Sequence, residues 1–305
     1  MLVSLDLSTA SDTIDHSILL SRLHYSFGIR DAPLAWIQSY LYGRTFAVHT
    51  GQHSSDPVAC SVGVPQPFVL GPLLFAAYTF AISNITQSFG VQQQQYVDDT
   101  QLYIVLSPPG SSVELPTLQT RLTLLEVCFY TNGMALNPDK SQAIILGTAQ
   151  RAPSYDGLNS VNVAGSVIPL AEHLKLLGVA FDSHLNTWEH TKRVSQSCFY
   201  HVRALRHMRG ALDRYTASII ASVLVSSRLD YANSLLYGSS VTCIARLQRV
   251  QNTLAKLVFQ EPSLPASAIL QELHWLPVKS RIQLNLASLT YKILHTVHHH
   301  ILQNL

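Results

Sequence analysis

An aspartate is set into the apolar opening segment Leu2-Val3-Ser4-Leu5-Asp6-Leu7-Ser8, and no other feature constrains the fold as strongly. A short apolar run of this kind reads as a buried strand ending at Ser8. An ionised carboxylate inside such a strand must pair, take up a proton or bind a cation. A second carboxylate site lies in Tyr96-Val97-Asp98-Asp99, after which Leu102, Ile104 and Leu106 alternate with Tyr103 and Val105. That pattern predicts a β-hairpin with Asp98 and Asp99 at its turn. Each feature has an ordinary reading: paired aspartates are common turn residues, and Asp6 alone fits a hydrogen-bonded polar core residue. Together they fit a holder of divalent cations. Mg²⁺ takes carboxylate oxygens while keeping positions open for phosphates, and two such ions suit phosphoryl transfer.

The elements around these aspartates can be read in outline. Asp12 is expected to cap a helix carrying Ile14, Ile18 and Leu23, and Asp31 a second helix that Gly43 stops. The segment from Thr45 to Val62 reads as strands and turns. Pro67 to Ser83 is uncharged but holds Pro67, Gly71 and Pro72, so it reads as a buried helix entered through a proline-rich turn rather than a membrane span. A helix from about Leu115 to Asn132, a strand from Ala143 to Leu146 and a hairpin from His173 to Phe181 around Gly178 follow. The remainder is helical. Cys198, Phe199, Val202 and Leu205 form one apolar stripe and Ile244, Leu247, Val250, Leu254, Leu257 and Val258 another; Pro277 opens a last helix.

The fold class expected is therefore α+β, an antiparallel sheet with packed helices, followed by an all-helical region, with domains at 1–185 and 186–305. Charge divides near the same border. Residues 1–191 hold 7 Lys and Arg against 14 Asp and Glu, whereas 192–281 hold 12 against 4. A basic half is the usual footprint of a polyanion partner. Arg203, Arg206 and Arg209 recur at helical spacing, as do Arg246, Arg249 and Lys256, and both sets are candidates for phosphate contacts. Only 12% of residues are charged and 47% are hydrophobic, which excludes bulk disorder. Four widely spaced cysteines exclude a disulfide scaffold or zinc ribbon and fit a reducing compartment. The cysteine usage fits an intracellular chain, and with no dense Lys/Arg run to mark a nuclear address, nucleus and cytoplasm both stay open. His295, His298, His299 and His300 read as a terminal helix, and Trp36 and Trp275 as core or interface aromatics.

The segments LDLSTASDTIDH, GVPQPFVLGPLLF, YVDDTQLY, NPDKSQAIILG and LKLLGVAFDS follow the order of reverse transcriptase palm motifs. With SSRLDYANSLLYG, RLQRVQNTLAKLV and ELHWLPVKSRI downstream, the chain resembles the polymerase of LINE-type, non-LTR retrotransposons over almost its whole length. The resemblance implies a polymerase palm followed by a thumb-like helical region, and RNA-directed DNA synthesis by two-metal nucleotidyl transfer. It implies two Mg²⁺ ions, an RNA template, a DNA primer and deoxynucleotides as partners, and no membrane. Asp6 and Asp98 become metal-binding and Asp99 their catalytic neighbour. Ser11, Gln66 and Lys140 become substrate-binding, with Gly63 in the same loop as Gln66. Leu176 and Gly178 become the hairpin that grips the primer.

Three departures bear on this copy. Ser11 stands where the family commonly carries a phenylalanine that blocks a ribose 2′-hydroxyl, which implies weaker exclusion of ribonucleotides. Pro67 and Phe68 replace a small Gly-Ser pair; Pro67 fixes φ, removes an N–H and restricts Gln66. Met1 stands a few residues ahead of Asp6, so the expectation is a truncated copy without fingers or endonuclease, impaired in synthesis. The alternatives are a non-catalytic nucleic-acid-binding remnant and a decayed fragment without function.

Overall fold

The computed structural model describes residues 1–8, 12–64, 70–86, 91–107, 114–148, 150, 155, 158–261 and 263–295. Strand β1 (Leu2–Ser8) alternates as its sequence dictates: Val3, Leu5 and Leu7 are buried, while Ser4, Asp6 and Ser8 are half-buried on the other face. Each fully buried aliphatic side chain of this kind contributes about 1.5–3 kcal/mol. Helix α1 (His16–Tyr25) begins later than expected. Its cap is Asp15, whose carboxylate accepts from the N–H groups of Ser17 (2.8 Å) and Ile18 (3.0 Å), and not Asp12. The reason is packing: Ile14 is buried ahead of the helix, and only after it does the chain turn helical. Helix α2 (Asp31–Leu41) contains Asp31 as its first residue and has no side-chain cap; Gly43 follows with a left-handed φ of +72°.

Two short ribbons come next, β2 (Thr45–Phe46) with β5 (Val58–Ala59) around β3 (His49–Thr50) with β4 (His53–Ser54). Helix α3 (Leu70–Thr86) buries Leu74, Phe75 and Tyr78, and no helix among the described residues is long and apolar enough to cross a membrane. Strands β6 (Gln92–Tyr96) and β7 (Asp99–Tyr103) form the expected hairpin, with Val97 and Asp98 as the turn and Asp99 already paired with Tyr96. Helix α4 (Glu114–Thr131) packs on α3 and buries Leu118, Leu122, Leu125 and Phe129. Strand β8 (Ala135–Ile144) is longer than the predicted Ala143–Leu146 because Asn137 to Lys140 join it through a bulge. The sheet is antiparallel in the order β6–β7–β1–β8, so Pro138 sits on an outer strand, where a missing N–H is tolerated. The hairpin β9 (Ser160–Val163) and β10 (Ser166–Pro169) was not anticipated. Its signal is Ala164-Gly165, both left-handed, between two β-branched runs. Strands β11 (His173–Leu176) and β12 (Val179–Asp182) form the expected second hairpin.

The helices that follow are α5 (Trp188–Met208), α6 (Arg214–Ala221), α7 (Ser227–Asp230), α8 (Val241–Phe259), α9 (Ala266–Glu272) and α10 (Val278–His295). Asp213 caps α6 and Ser240 caps α8. Contacts divide the chain into Met1–Leu174 and Lys175–Leu305, each with its own apolar core. The charge border between residues 191 and 192 therefore lies inside the second unit. Trp36 is exposed and stacks on Tyr40 rather than entering a core, whereas Trp275 is partly buried against the second core.

Replacing Asp15 by Ala is expected to cost about 1 kcal/mol in urea unfolding, and replacing Asp12 less than about 0.5 kcal/mol. The Ser17 hydroxyl and the N–H donors hold the Asp15 carboxyl below its usual range. The cap therefore contributes fully above the ordinary carboxylate pKa and fades as pH falls through the lowered one, where the two proteins should converge.

Candidate carboxylate site and basic helical surface

Because side chains alternate along β1, its second and third polar positions are forced to the face away from the apolar core. Leu5 pairs with Thr100 across β1 and β7, which brings Asp6 level with Asp99 and beside the Val97-Asp98 turn. The register thus brings Asp6 and Asp99 to one end of one sheet face, beside the turn that holds Asp98. Asp98 is exposed; Asp6 and Asp99 are half-buried. Burial first, then the charges of Asp98 and Asp6, push the Asp99 carboxyl above its usual range. Val97 carries a φ of +55°, an unfavourable conformation for a β-branched residue, at the point where the turn presents Asp98.

Around Asp6 the bulge in β8 matters. Ser4 pairs with Gln142 and Asp6 with Asn137, so residues 138–141 all lie opposite Leu5. Ser141 spans the bulge: its hydroxyl accepts from the Asp6 N–H (3.1 Å) and donates to the Asn137 carbonyl (2.7 Å). Lys140 is in the bulge, with its ammonium exposed. The Asp6 Oδ2 atom is buried and has no hydrogen-bond partner among the described residues. The same holds for Nε2 of Gln101, two residues beyond Asp99 on the same face of β7. Ser141 and Gln101 were not singled out by the sequence, where a lone Ser and Gln carry no signal.

An orphaned carboxylate oxygen near two further carboxylates lacks positive charge, and its oxygen chemistry fits a hard divalent cation. Among the described residues no three His, Cys, Asp or Glu side chains close on one point. One or two carboxylates with open positions is the arrangement Mg²⁺ uses when substrate phosphates complete its shell. Ser11, Gln66, Pro67 and Phe68 lie outside the described residues, as do His298, His299 and His300. Gly63 is described: its φ is +85°, an added Cβ would meet the Asp12 carbonyl oxygen at 2.9 Å, and its own carbonyl lies 2.7 Å from His16 Nε2. This pins the start of the Gly63-Val64 loop to the start of α1.

In the second unit, Leu177 (φ +44°) and Gly178 (φ +83°) make the tight turn of the β11–β12 hairpin, which leaves Leu176 half-buried and Gly178 exposed. The arginines divide. Arg203, Arg206 and Arg249 are exposed, as is Lys256. Arg209 is not available to a polyanion: it is 5% exposed and donates to the carbonyls of Leu212 (2.6 Å), Leu257 (3.1 Å) and Val258 (2.6 Å). Its spacing matched a helical stripe, but α5 ends at Met208 and the chain turns inward there. Arg246 is half-buried, stacks over the Trp188 ring at 3.7 Å and donates to the Trp188 carbonyl (3.2 Å), so it ties α8 to α5.

Residues 1–181 match the family model described as reverse transcriptase (RNA-dependent DNA polymerase). The chain is 25% identical over 272 residues to the probable RNA-directed DNA polymerase from transposon BS of Drosophila melanogaster, covering 85% of this chain and 29% of that protein. It is 26% identical over 201 residues to the RNA-directed DNA polymerase from mobile element jockey of the same organism, covering 63% and 21%. It is also 26% identical over 196 residues to the retrovirus-related Pol polyprotein from type-1 retrotransposable element R2 of Popillia japonica, covering 59% and 30%. The chain thus spans less than a third of the length of these relatives. Among solved structures it is similar to apo telomerase from Candida Tropicalis, with a TM-score of 0.45 and 10% identity over 99% of this chain and 52% of that one.

The division among the arginines is testable by urea unfolding. Arg209→Ala, which strands buried carbonyls, is expected to cost about 2–3 kcal/mol. Arg203→Ala is expected to stay within about 0.5 kcal/mol of the parent.

Proposed function

The chain belongs to the reverse transcriptase family, in its non-LTR retrotransposon branch, and we propose that its sheet carries the metal-dependent centre for RNA-templated DNA synthesis. The observation that carries this reading is the β1–β7 register, which brings Asp6 level with Asp99 at the turn holding Asp98. In this reading Asp6 and Asp98 hold divalent cations, with Asp99 beside them. Two Mg²⁺ ions bound there supply charge neutralisation at the reacting phosphate and at the departing pyrophosphate. The protein's own part is positioning. The bulge held by Ser141 fixes the Asp6 backbone, and Lys140 faces solvent in the same bulge, where its ammonium suits a triphosphate oxygen. Ser11 and Gln66 are assigned to the incoming nucleotide, with the ribose less strictly excluded for want of an aromatic ring at Ser11.

Primer extension on an RNA template in the presence of Mg²⁺ is the direct test. The expected outcome is synthesis that chelation stops and that Asp98→Asn or Asp6→Asn lowers by at least about a hundredfold. Extension by either variant at the parent rate refutes the assignment of that carboxylate.

A second reading concerns the helical unit, and the exposure of Arg203, Arg206, Arg249 and Lys256 favours it. We infer that these side chains meet the phosphates of a template–primer duplex without reading sequence. Filter binding of an RNA–DNA hybrid is expected to weaken as salt rises. Neutralising Arg203, Arg206 and Arg249 together should lower the slope of log K against log salt by about one for each phosphate contact removed. An unchanged slope refutes the assignment.

A further inference from the structure

A groove of about 480 Å³ runs between the start of α8 and the first half of α10, bounded by the turn at residues 236–239 and contained wholly within the second unit. Leu236 and Ile282, both buried, form its floor, with Ile244 partly buried beside them. Its rim is apolar too, and open: Val241 is 85% exposed and Tyr237 64%. We propose that this groove docks an amphipathic helix of a partner protein, one that inserts aliphatic side chains and brings an acidic flank to Lys279.

Charge sets the sign of the partner. Lys279 is the charged residue of the groove lining; it is exposed and makes no ion pair among the described residues. No carboxylate lines the groove, and neither α8 nor α10 contains an Asp or a Glu. Asp230 is engaged by Arg281 at 2.8 Å, and Arg281, two residues beyond Lys279, points to the far side of α10. The positive end of the α8 dipole opens at Val241 on the same rim. An acidic flank therefore finds an unmatched ammonium and no repulsion, whereas a basic one meets like charge.

The remaining polar groups favour a helix over other partners. The Gln248 amide is engaged inside the unit: its Oε1 accepts the Val278 N–H (2.9 Å) and its Nε2 donates to Gln251 (2.9 Å) and Asn252 (2.8 Å). The Ser239 hydroxyl accepts from Thr187 (2.9 Å), and the N–H groups of Tyr237 and Ser239 bond to the Ser234 and Leu236 carbonyls within the turn. An extended peptide thus meets no row of free backbone groups to pair with, whereas a helix satisfies its own backbone and needs only an apolar seat. A nucleic-acid backbone draws its affinity from several cations, and an apolar wall with one ammonium does not supply them. A small molecule confined to the groove would leave Val241 in water; a helix laid along it covers floor and rim together. This inference goes beyond the polymerase reading and does not depend on it.

The test uses the whole chain and labelled synthetic peptides, read by fluorescence anisotropy. One peptide carries leucines at i, i+3, i+4 and i+7 with glutamates between them; a second has every glutamate replaced by lysine; a third shuffles the first. Saturable binding of the first peptide is expected, at least about tenfold tighter than that of either control. Lys279→Glu should weaken the glutamate peptide about tenfold and tighten the lysine peptide, and Val241→Ser should weaken the glutamate peptide several-fold. Both side chains are exposed, so both variants are expected to fold. Equal affinity for the three peptides, or an affinity that both substitutions leave unchanged, overturns the proposal. Two competitors complete the test. An RNA–DNA hybrid is expected to leave the peptide bound; displacement that Lys279→Glu abolishes gives the groove to nucleic acid and overturns the proposal. Sedimentation of the chain alone is expected to show no dimer that depends on this face; a dimer broken by Val241→Ser means that a second copy fills the groove, and overturns it as well. No arm reads primer extension, so failure here and failure of the polymerase reading are separable.

Discussion

The first unit depends on one strand reading in two directions. Strand β1 is paired on both sides, and its alternation sends Val3, Leu5 and Leu7 into the core while holding Ser4 and Asp6 on the opposite face. A shift of one residue would bury Asp6 and expose three aliphatic side chains, so the register is fixed by the same burial that stabilises the sheet. The position of the carboxylate relative to the hairpin aspartates is thus a consequence of core packing. The charge is then left incompletely compensated: Asp6 Oδ2 has no hydrogen-bond partner among the described residues, and burial, then the charges of Asp98 and Asp6, raise the Asp99 carboxyl.

Much of this was legible in the sequence, for physical reasons that differ by element. The strand and the hairpin were readable because period-two alternation and a polar turn are local signals. The stripes on α5 and α8 were readable because their apolar residues recur at helical spacing. The cap of α1 was misread, since both Asp12 and Asp15 suit a cap and only the burial of Ile14 decides between them. The full length of strand β8 is not a local signal: the bulge that admits Asn137 to Lys140 depends on a hydroxyl contributed by Ser141 and on the neighbouring strand.

The site shows the same limit. Spacing placed Arg203, Arg206 and Arg209 in one group, and helical geometry supports that grouping only while the helix continues. It stops at Met208, and the third guanidinium turns to the carbonyls of another helix. Charge counts along a chain therefore identify a basic region without identifying which cations face solvent.

The seat of Arg209 has a consequence for how the helical unit opens. One guanidinium satisfies carbonyls at the end of α8 and at the turn leaving α5, so neither terminus can fray alone without stranding the other's acceptors. The last turns of the two helices accordingly belong to a single cooperative opening unit, with amide hydrogen exchange in both governed by one shared free energy rather than by two independent end-melting events.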